Sequence, residues 1–246
     1  MSSPQAHRLN YTYTPLTWLL FADSVIWDPW KKEYVLYTRN WIRTSPKYRT
    51  VRRLACKDLS VSTLADCWQD QEIVMAPDAI DGSPPGQPGG QARIPGGAPA
   101  LDYYGAVVWP YTASVDPLYF MFTQRTWHWE PEKAPVPEQV ASGMPEPAMI
   151  DVGLAVSHDG INFTHIGGRE AFIGPQASGA FDSKFQWMLP YPVVKEDGEI
   201  FYYYSGSNRN HNGEVDGDKH RSGIGLAVGR QDGLVSLDTP LRPELR

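Results

Sequence analysis

The feature that most constrains this chain is a pattern that returns three times at a nearly constant interval. Asp23, Asp102 and Asp182 stand 79 and then 80 residues apart. Each leads an apolar stretch, a turn rich in Asp, Pro, Lys or Gly, and a second stretch packed with aromatics. The first copy is Asp23-Ser-Val-Ile-Trp-Asp-Pro followed by Tyr34-Val-Leu-Tyr37. The second runs from Asp102 through Ala106-Val-Val-Trp-Pro-Tyr111 and returns as Leu118-Tyr-Phe-Met-Phe122. The third runs from Asp182 through Met188-Leu-Pro-Tyr-Pro-Val-Val194 and returns as Ile200-Phe-Tyr-Tyr-Tyr204. A second hairpin follows in each copy, marked by Leu54-Ala, Leu154-Ala and Leu226-Ala, with Asp58, Asp159 and Asp232 four to six residues later. Asp-Gly between apolar runs, as at Asp159-Gly160 and Asp232-Gly233, is a strong hairpin signal because both positions tolerate φ > 0.

Four short strands, here a to d, repeated at a fixed period predict an all-β chain of four-stranded antiparallel units. Radial closure of such units makes each one a blade of a β-propeller. Three blades are recognisable, over about 23–68, 102–166 and 182–238, within a single domain or partial propeller spanning 1–246. A sandwich of stacked hairpins is the alternative. Composition agrees with short strands: aromatics are 12% of the 246 residues, and 22 Gly and 22 Pro punctuate them. Two long connections interrupt the period. Residues 69–100 contain Pro84-Pro-Gly-Gln-Pro-Gly-Gly90 and Ile94-Pro-Gly-Gly-Ala-Pro99, and residues 130–147 are rich in proline, so both read as irregular.

A net charge of −6 argues against non-specific nucleic-acid binding, which needs a basic surface. No run of 18 apolar residues occurs, and the apolar stretch 16–22 has no basic leader or cleavage site beside it. The reading is a soluble protein with neither nucleic acid nor membrane as partner, its compartment left open. Cys56 and Cys67 read as free thiols of a reducing compartment.

Several stretches resemble the five-bladed propellers of glycoside hydrolase families 32 and 43. Trp27-Asp-Pro-Trp-Lys-Lys-Glu-Tyr-Val-Leu-Tyr-Thr-Arg39 with Arg49-Thr-Val-Arg-Arg53 is similar to their strand pattern. Ser157-His-Asp-Gly-Ile-Asn-Phe163 resembles their repeated Ser-x-Asp-Gly-x-x-Trp turn, with Phe in place of Trp. Phe201-Tyr-Tyr-Tyr-Ser-Gly206, His211 and Gly223-Ile-Gly-Leu-Ala-Val228 look like a last blade. The resemblance covers roughly residues 20–238. It departs from those families in lacking their Asn-Asp-Pro-Asn start and Glu-Cys motif, and in offering three blades where they have five. A fragment, a shortened form, or an oligomer that completes the ring each fits that count.

Strand order puts the d-to-a and b-to-c connections at one end of the blades, and these connections are long and varied. Function concentrates on loops held by a rigid scaffold, so this end is the candidate site. Asp23, Asp102 and Asp182 enter from it. Glycoside hydrolysis needs two carboxyl groups in different protonation states, and clustering like charges splits their pKa values. The resemblance likewise implies one acidic residue per blade at this mouth. The plainer role is that each Asp caps a turn. Glu130, beside aromatics, is the general-acid candidate. Arg39, Trp41, Trp127, His128, Arg209 and His211 lie on the b-to-c connections and have the chemistry to stack on sugar rings or donate to hydroxyls. His158 and His165 read as structural. The loop 212–220 carries oxygen groups that could hold calcium, without EF-hand spacing; no other cofactor is expected.

These features point first to a glycoside hydrolase-like carbohydrate-active enzyme. A phosphorylase similar to glycoside hydrolase family 130 is a second option, with Arg39, Arg49 and Arg53 on phosphate. A non-catalytic sugar-binding or structural propeller is a third. Open blade edges would also favour a homo-oligomer.

Overall fold

The structure, a computed structural model, describes residues 24–42, 48–60, 67–78, 81, 101–128, 148–211, 213 and 215–234; the side chains of 69–71, 128 and 148 fall outside the description. Asp23, Glu130, the His128 side chain and most of the two long connections therefore lie outside the described residues. Among the described residues twelve strands make up the elements, so the chain is all-β as its sequence pattern implies. No helix among the described residues is long and apolar enough to cross a membrane.

The first repeat is an antiparallel meander of β1 (Ser24–Asp28), β2 (Glu33–Ile42), β3 (Tyr48–Cys56) and β4 (Gln69–Met75) in sheet order 1-2-3-4. Its fourth strand falls in the stretch read as irregular loop, carried there by Ile73-Val-Met75, of which Val74 and Met75 are buried. The thiols are not free: Cys56 and Cys67 form a disulfide, with Cα atoms 5.0 Å apart. The turn after β3 brings the chain back beside its end, inside the distance that a disulfide spans.

The second repeat comprises β5 (Leu101–Pro110), β6 (Tyr119–His128), β7 (Ala148–Ser157) and the short β8 (Thr164–His165). In the third, strand a is split into β9 (Phe185–Met188) and β10 (Val193–Val194), both paired to β11 (Glu199–Ser207). Pro190 and Pro192 lie in the gap, and proline has no N–H for a ladder. β12 (Ser222–Arg230) pairs along the whole of β11, and no fourth strand is described. A single parallel bridge, Ile150 to Phe185, joins the second and third repeats into one sheet.

The middle repeat is buried on both faces, which explains its continuous apolar runs. Along β6, Tyr119 and Met121 pack with Ile26, Val35, Tyr37 and Val51 of the first repeat. Phe120 and Phe122, pointing the other way, pack with Met188, Ile200, Tyr202 and Tyr204 of the third. Period-2 alternation thus builds two cores from one meander.

The Ser157-His-Asp-Gly turn ties the first two repeats together. Asp159 accepts from the backbone N–H groups of Ile161 (2.8 Å) and Asn162 (2.7 Å) and from the Asn162 side chain (2.7 Å). Gly160 has φ of 67°, and its carbonyl accepts from the Tyr37 hydroxyl at 2.8 Å. Partial burial acts to raise the Asp159 pKa, but the donors from Asn162, Ile161 and Ser157 outweigh it and hold the carboxyl well below the usual carboxylate range. The unfolded chain therefore takes up this proton first. The group's contribution to stability is present above its ordinary pKa of about 4 and is lost as pH falls toward its folded value. Thermal unfolding between pH 6 and 2.5 should decline more steeply below pH 4 in the parent than in Asp159→Asn; equal slopes would contradict this.

Candidate functional site

One end of the meanders collects the starts of β3, β5, β7 and β9 and the ends of β2, β6 and β11, as the antiparallel registers require. At its centre is Tyr104, a residue the sequence reading passed over. A register shift between Tyr103 and Gly105 leaves Tyr104 without a partner in the β5–β6 ladder. Bulges of this kind re-aim a side chain. Tyr103 is buried against the first repeat, whereas Tyr104 is half-buried at the mouth.

All three repeats meet on Tyr104. From the first, the Arg39 and Arg49 guanidinium groups lie 4.6 and 4.5 Å from its ring centroid. Arg49 also lies 4.7 Å from the Trp41 ring, so it is stacked by two aromatics. From the third, Trp187 makes an edge contact at 5.3 Å, and the His211 ring sits at 5.2 Å. Tyr104 Oη and His211 Nε2 share a hydrogen bond of 3.2 Å. Phe185 stacks on Trp187 at 5.7 Å, extending the aromatic surface.

Two of the expected carboxylates are described, and both are engaged. Asp102 is fully buried and accepts from the Arg49 backbone N–H at 3.0 Å and from Arg49 Nη1 at 3.1 and 3.2 Å. Asp182, also buried, accepts from the Tyr204 hydroxyl at 2.7 Å, and burial and this bond push the tyrosine up to about 12. A third buried acid, Asp151, went unnoticed in the sequence. Its oxygens accept from Arg125 Nε (2.6 Å), Arg125 Nη2 (2.9 Å) and the Trp127 indole N–H (2.9 Å). Burial pushes the Asp151 pKa up, while Arg125 and Trp127 pull against it. Gly153 makes room for this pair, because a Cβ there would come within 2.8 Å of the Arg125 side chain and of Thr123.

Of the expected sugar-contacting residues, Arg39, Trp41 and His211 gather around Tyr104. Trp127 does not join them; it is buried as a donor to Asp151. Arg209 is exposed on the connection after β11, its backbone N–H donating to Ser207 Oγ at 3.0 Å. Arg53 is turned to Glu33, away from Arg49 and its partner Asp102. In the loop considered for calcium, Asp216 accepts from Ser178 Oγ at 2.8 Å and the Gly179 N–H at 2.9 Å. Among the described residues no three His, Cys, Asp or Glu side chains converge as metal ligands. His165 shares a 3.0 Å hydrogen bond with the Tyr103 hydroxyl, and His158 one of 2.8 Å with the Pro117 carbonyl, both away from this mouth.

The arrangement is a rim of aromatic faces and cationic donors beside buried, hydrogen-bonded carboxylates. Aromatic faces suit flat apolar surfaces, and guanidinium and imidazole groups suit oxygen acceptors. No family model matches the chain. No curated protein matches it. Solved structures do. An N-acetylgalactosamine deacetylase from F. plautii, in complex with blood group B trisaccharide, is 13% identical over 85% of this chain and 50% of that one, with a TM-score of 0.50. A glycosyl hydrolase from Bacteroides ovatus is 15% identical over 77% of this chain and 44% of that one, with a TM-score of 0.39. A structure of the GH130 family of mannoside phosphorylases, which contains glycoside hydrolases that target β-1,2 mannosidic linkages in Candida mannan, is 14% identical over 87% and 67%, with a TM-score of 0.31. The chain spans about half the length of the first two. At such identities it is the first of these likenesses that speaks, and it speaks for the all-β fold alone.

Proposed function

We propose that this chain is a carbohydrate-active protein, glycoside hydrolase-like, that engages sugar at the Tyr104-centred mouth. The observation carrying this reading is that a single tyrosine gathers Arg39 and Arg49 from the first repeat and Trp187 and His211 from the third. Such a site pairs ring-stacking surface with donors for hydroxyls and needs all three repeats to exist. In the hydrolytic reading Asp102 and Asp182, with Asp23 and Glu130, supply the acid and the nucleophile or base. Substrate would have to displace Arg49 or Tyr204 from a carboxylate before that acid could act.

Those engaged carboxylates favour a second reading, sugar binding without turnover. Release of nitrophenol from a panel of nitrophenyl glycosides, with and without added phosphate, tests the choice. The hydrolytic reading expects release without phosphate, falling by at least about a hundredfold in Asp182→Asn, the range of acid–base contributions, with melting little changed. Release only with phosphate indicates the phosphorylase alternative. Bound glycoside and no release assigns the mouth to binding alone.

A further inference from the structure

A cavity of about 320 Å³ opens between the last strands of the first and second repeats. β4 supplies Ile73 to its lining, the chain at β8 supplies Phe163 and His165, and Asp78 and Arg169 complete the polar part. The volume is that of a site for a small ligand, at the low end of the range of about 300–1,000 Å³. None of the residues that meet on Tyr104 lines it, so it is separate from the mouth.

The polar part is held from behind. Arg169 has a left-handed backbone, with φ of 67°, an uncommon state outside glycine. Its carbonyl accepts from Arg125 Nη1 at 2.6 Å. Its guanidinium donates to Asp78 Oδ1 and Oδ2 at 2.9 and 2.6 Å and to Asp81 Oδ1 at 2.7 Å. Asp81 is buried, and its Oδ2 accepts from the Tyr103 hydroxyl at 3.2 Å. With that proton committed, the 3.0 Å bond between Tyr103 Oη and His165 Nε2 is donated by the imidazole. The other ring nitrogen, Nδ1, then carries a lone pair. Burial first, and Arg169 after it, hold His165 below its ordinary value, so the ring is neutral at pH 7 and above.

Two carboxylates share the one guanidinium, which leaves a negative charge in excess. Arg125, the other cation acting on His165, is matched by its own partner Asp151. The excess faces outward, because the Asp78 side chain is 49% exposed and that of Asp81 only 3%. Ile73 is exposed beside it, and Phe163 is half-buried. We propose that this cavity binds a small primary ammonium carried on an apolar body. The ammonium, with three donors, sits at Asp78 beside the His165 lone pair, and the body lies against Ile73 and Phe163. An anion would meet the excess negative charge, and a neutral alcohol would leave it unbalanced. The bonds from Arg169 and Tyr103 already fix the frame, which lowers the ordering cost of binding.

Calorimetric titration of the 246-residue chain at pH 8 with cyclohexylammonium, and with cyclohexanol as its neutral counterpart, tests this. A probe of this size should bind with a dissociation constant of about 1–10 mM, and the alcohol at least about tenfold more weakly. Asp78→Asn should weaken ammonium binding by about tenfold or more, while Arg169 keeps Asp81. Ile73→Lys sets a competing ammonium on the cavity wall and should abolish binding. Ile73 is exposed, so this second variant does not endanger the fold. Asp218→Asn removes the same charge from a side chain that is 78% exposed and does not line the cavity, and should leave the affinity unchanged. The probes carry no sugar, so the outcome is independent of the reading of the mouth. Equal binding of the alcohol, no binding of the ammonium up to about 50 mM, or either cavity variant binding as the parent does overturns the proposal. So does an equal loss in Asp218→Asn, which would mean general attraction to an acidic chain.

Discussion

Replacing Asp151 by alanine should be among the most damaging single changes in the molecule, costing about 3–5 kcal/mol. The carboxylate and Arg125 are both buried, bonded twice to each other, and the same carboxylate takes the Trp127 indole N–H. Removing it strands a guanidinium left with one hydrogen bond from Nη1 to the Arg169 carbonyl at 2.6 Å and the Trp127 ring centroid 5.4 Å away. Domains are stable by only about 5–15 kcal/mol, so the loss is a large share of the whole. At about 2–4 °C per kcal/mol for a chain of this size, melting should fall by about 6–20 °C. The burial that pushes Asp151 upward implies that the ionic pair itself gains little over apolar replacements. A double change, Arg125→Met with Asp151→Leu, should therefore recover most of what Asp151→Ala loses. Urea unfolding of the three proteins checks this; a loss below about 1 kcal/mol in Asp151→Ala would show that the pair is not buried as described.

The strand framework was legible in the sequence because alternation and turn chemistry are local. Aromatic stretches such as Tyr119–Phe122 and Ile200–Tyr204 became strands, and Asp159-Gly160 became the tight turn. Two departures were not local. β4 forms because Val74 and Met75 find the first core, although proline and glycine follow closely behind. The Cys56–Cys67 bond follows from a chain reversal that spacing alone does not specify. The candidate site was half legible. Arg39, Trp41 and His211 could be placed at one end from strand order. Trp127 was placed there too, but its indole found a buried carboxylate instead of solvent. Tyr104 was hidden by a bulge, since the register break at Tyr103/Gly105 cannot be read from alternation. Asp151 was hidden because it interrupts an apolar strand without any turn signal, and only its pairing across the ladder with Arg125 explains it.

Tyr104→Ala should abolish measurable sugar engagement while leaving the fold intact. The ring is half-buried, and it is the shared surface for Arg39, Arg49, Trp187 and His211. Its loss removes the stacking face and the hydrogen bond between Tyr104 Oη and His211 Nε2. An anchor of this kind is worth at least about 2 kcal/mol, more than tenfold in affinity. Arg49 keeps Trp41 and Asp102, so the buried pair beneath should hold and melting should shift little. Trp187→Ala should act in the same direction through the same surface. The most direct measurement is binding of the parent and of both variants to an array of immobilised glycans, followed by titration of the strongest ligand. The account predicts that the parent retains at least one class of glycan and that each variant loses it by tenfold or more. A parent that retains none, or variants that bind as the parent does, would contradict it.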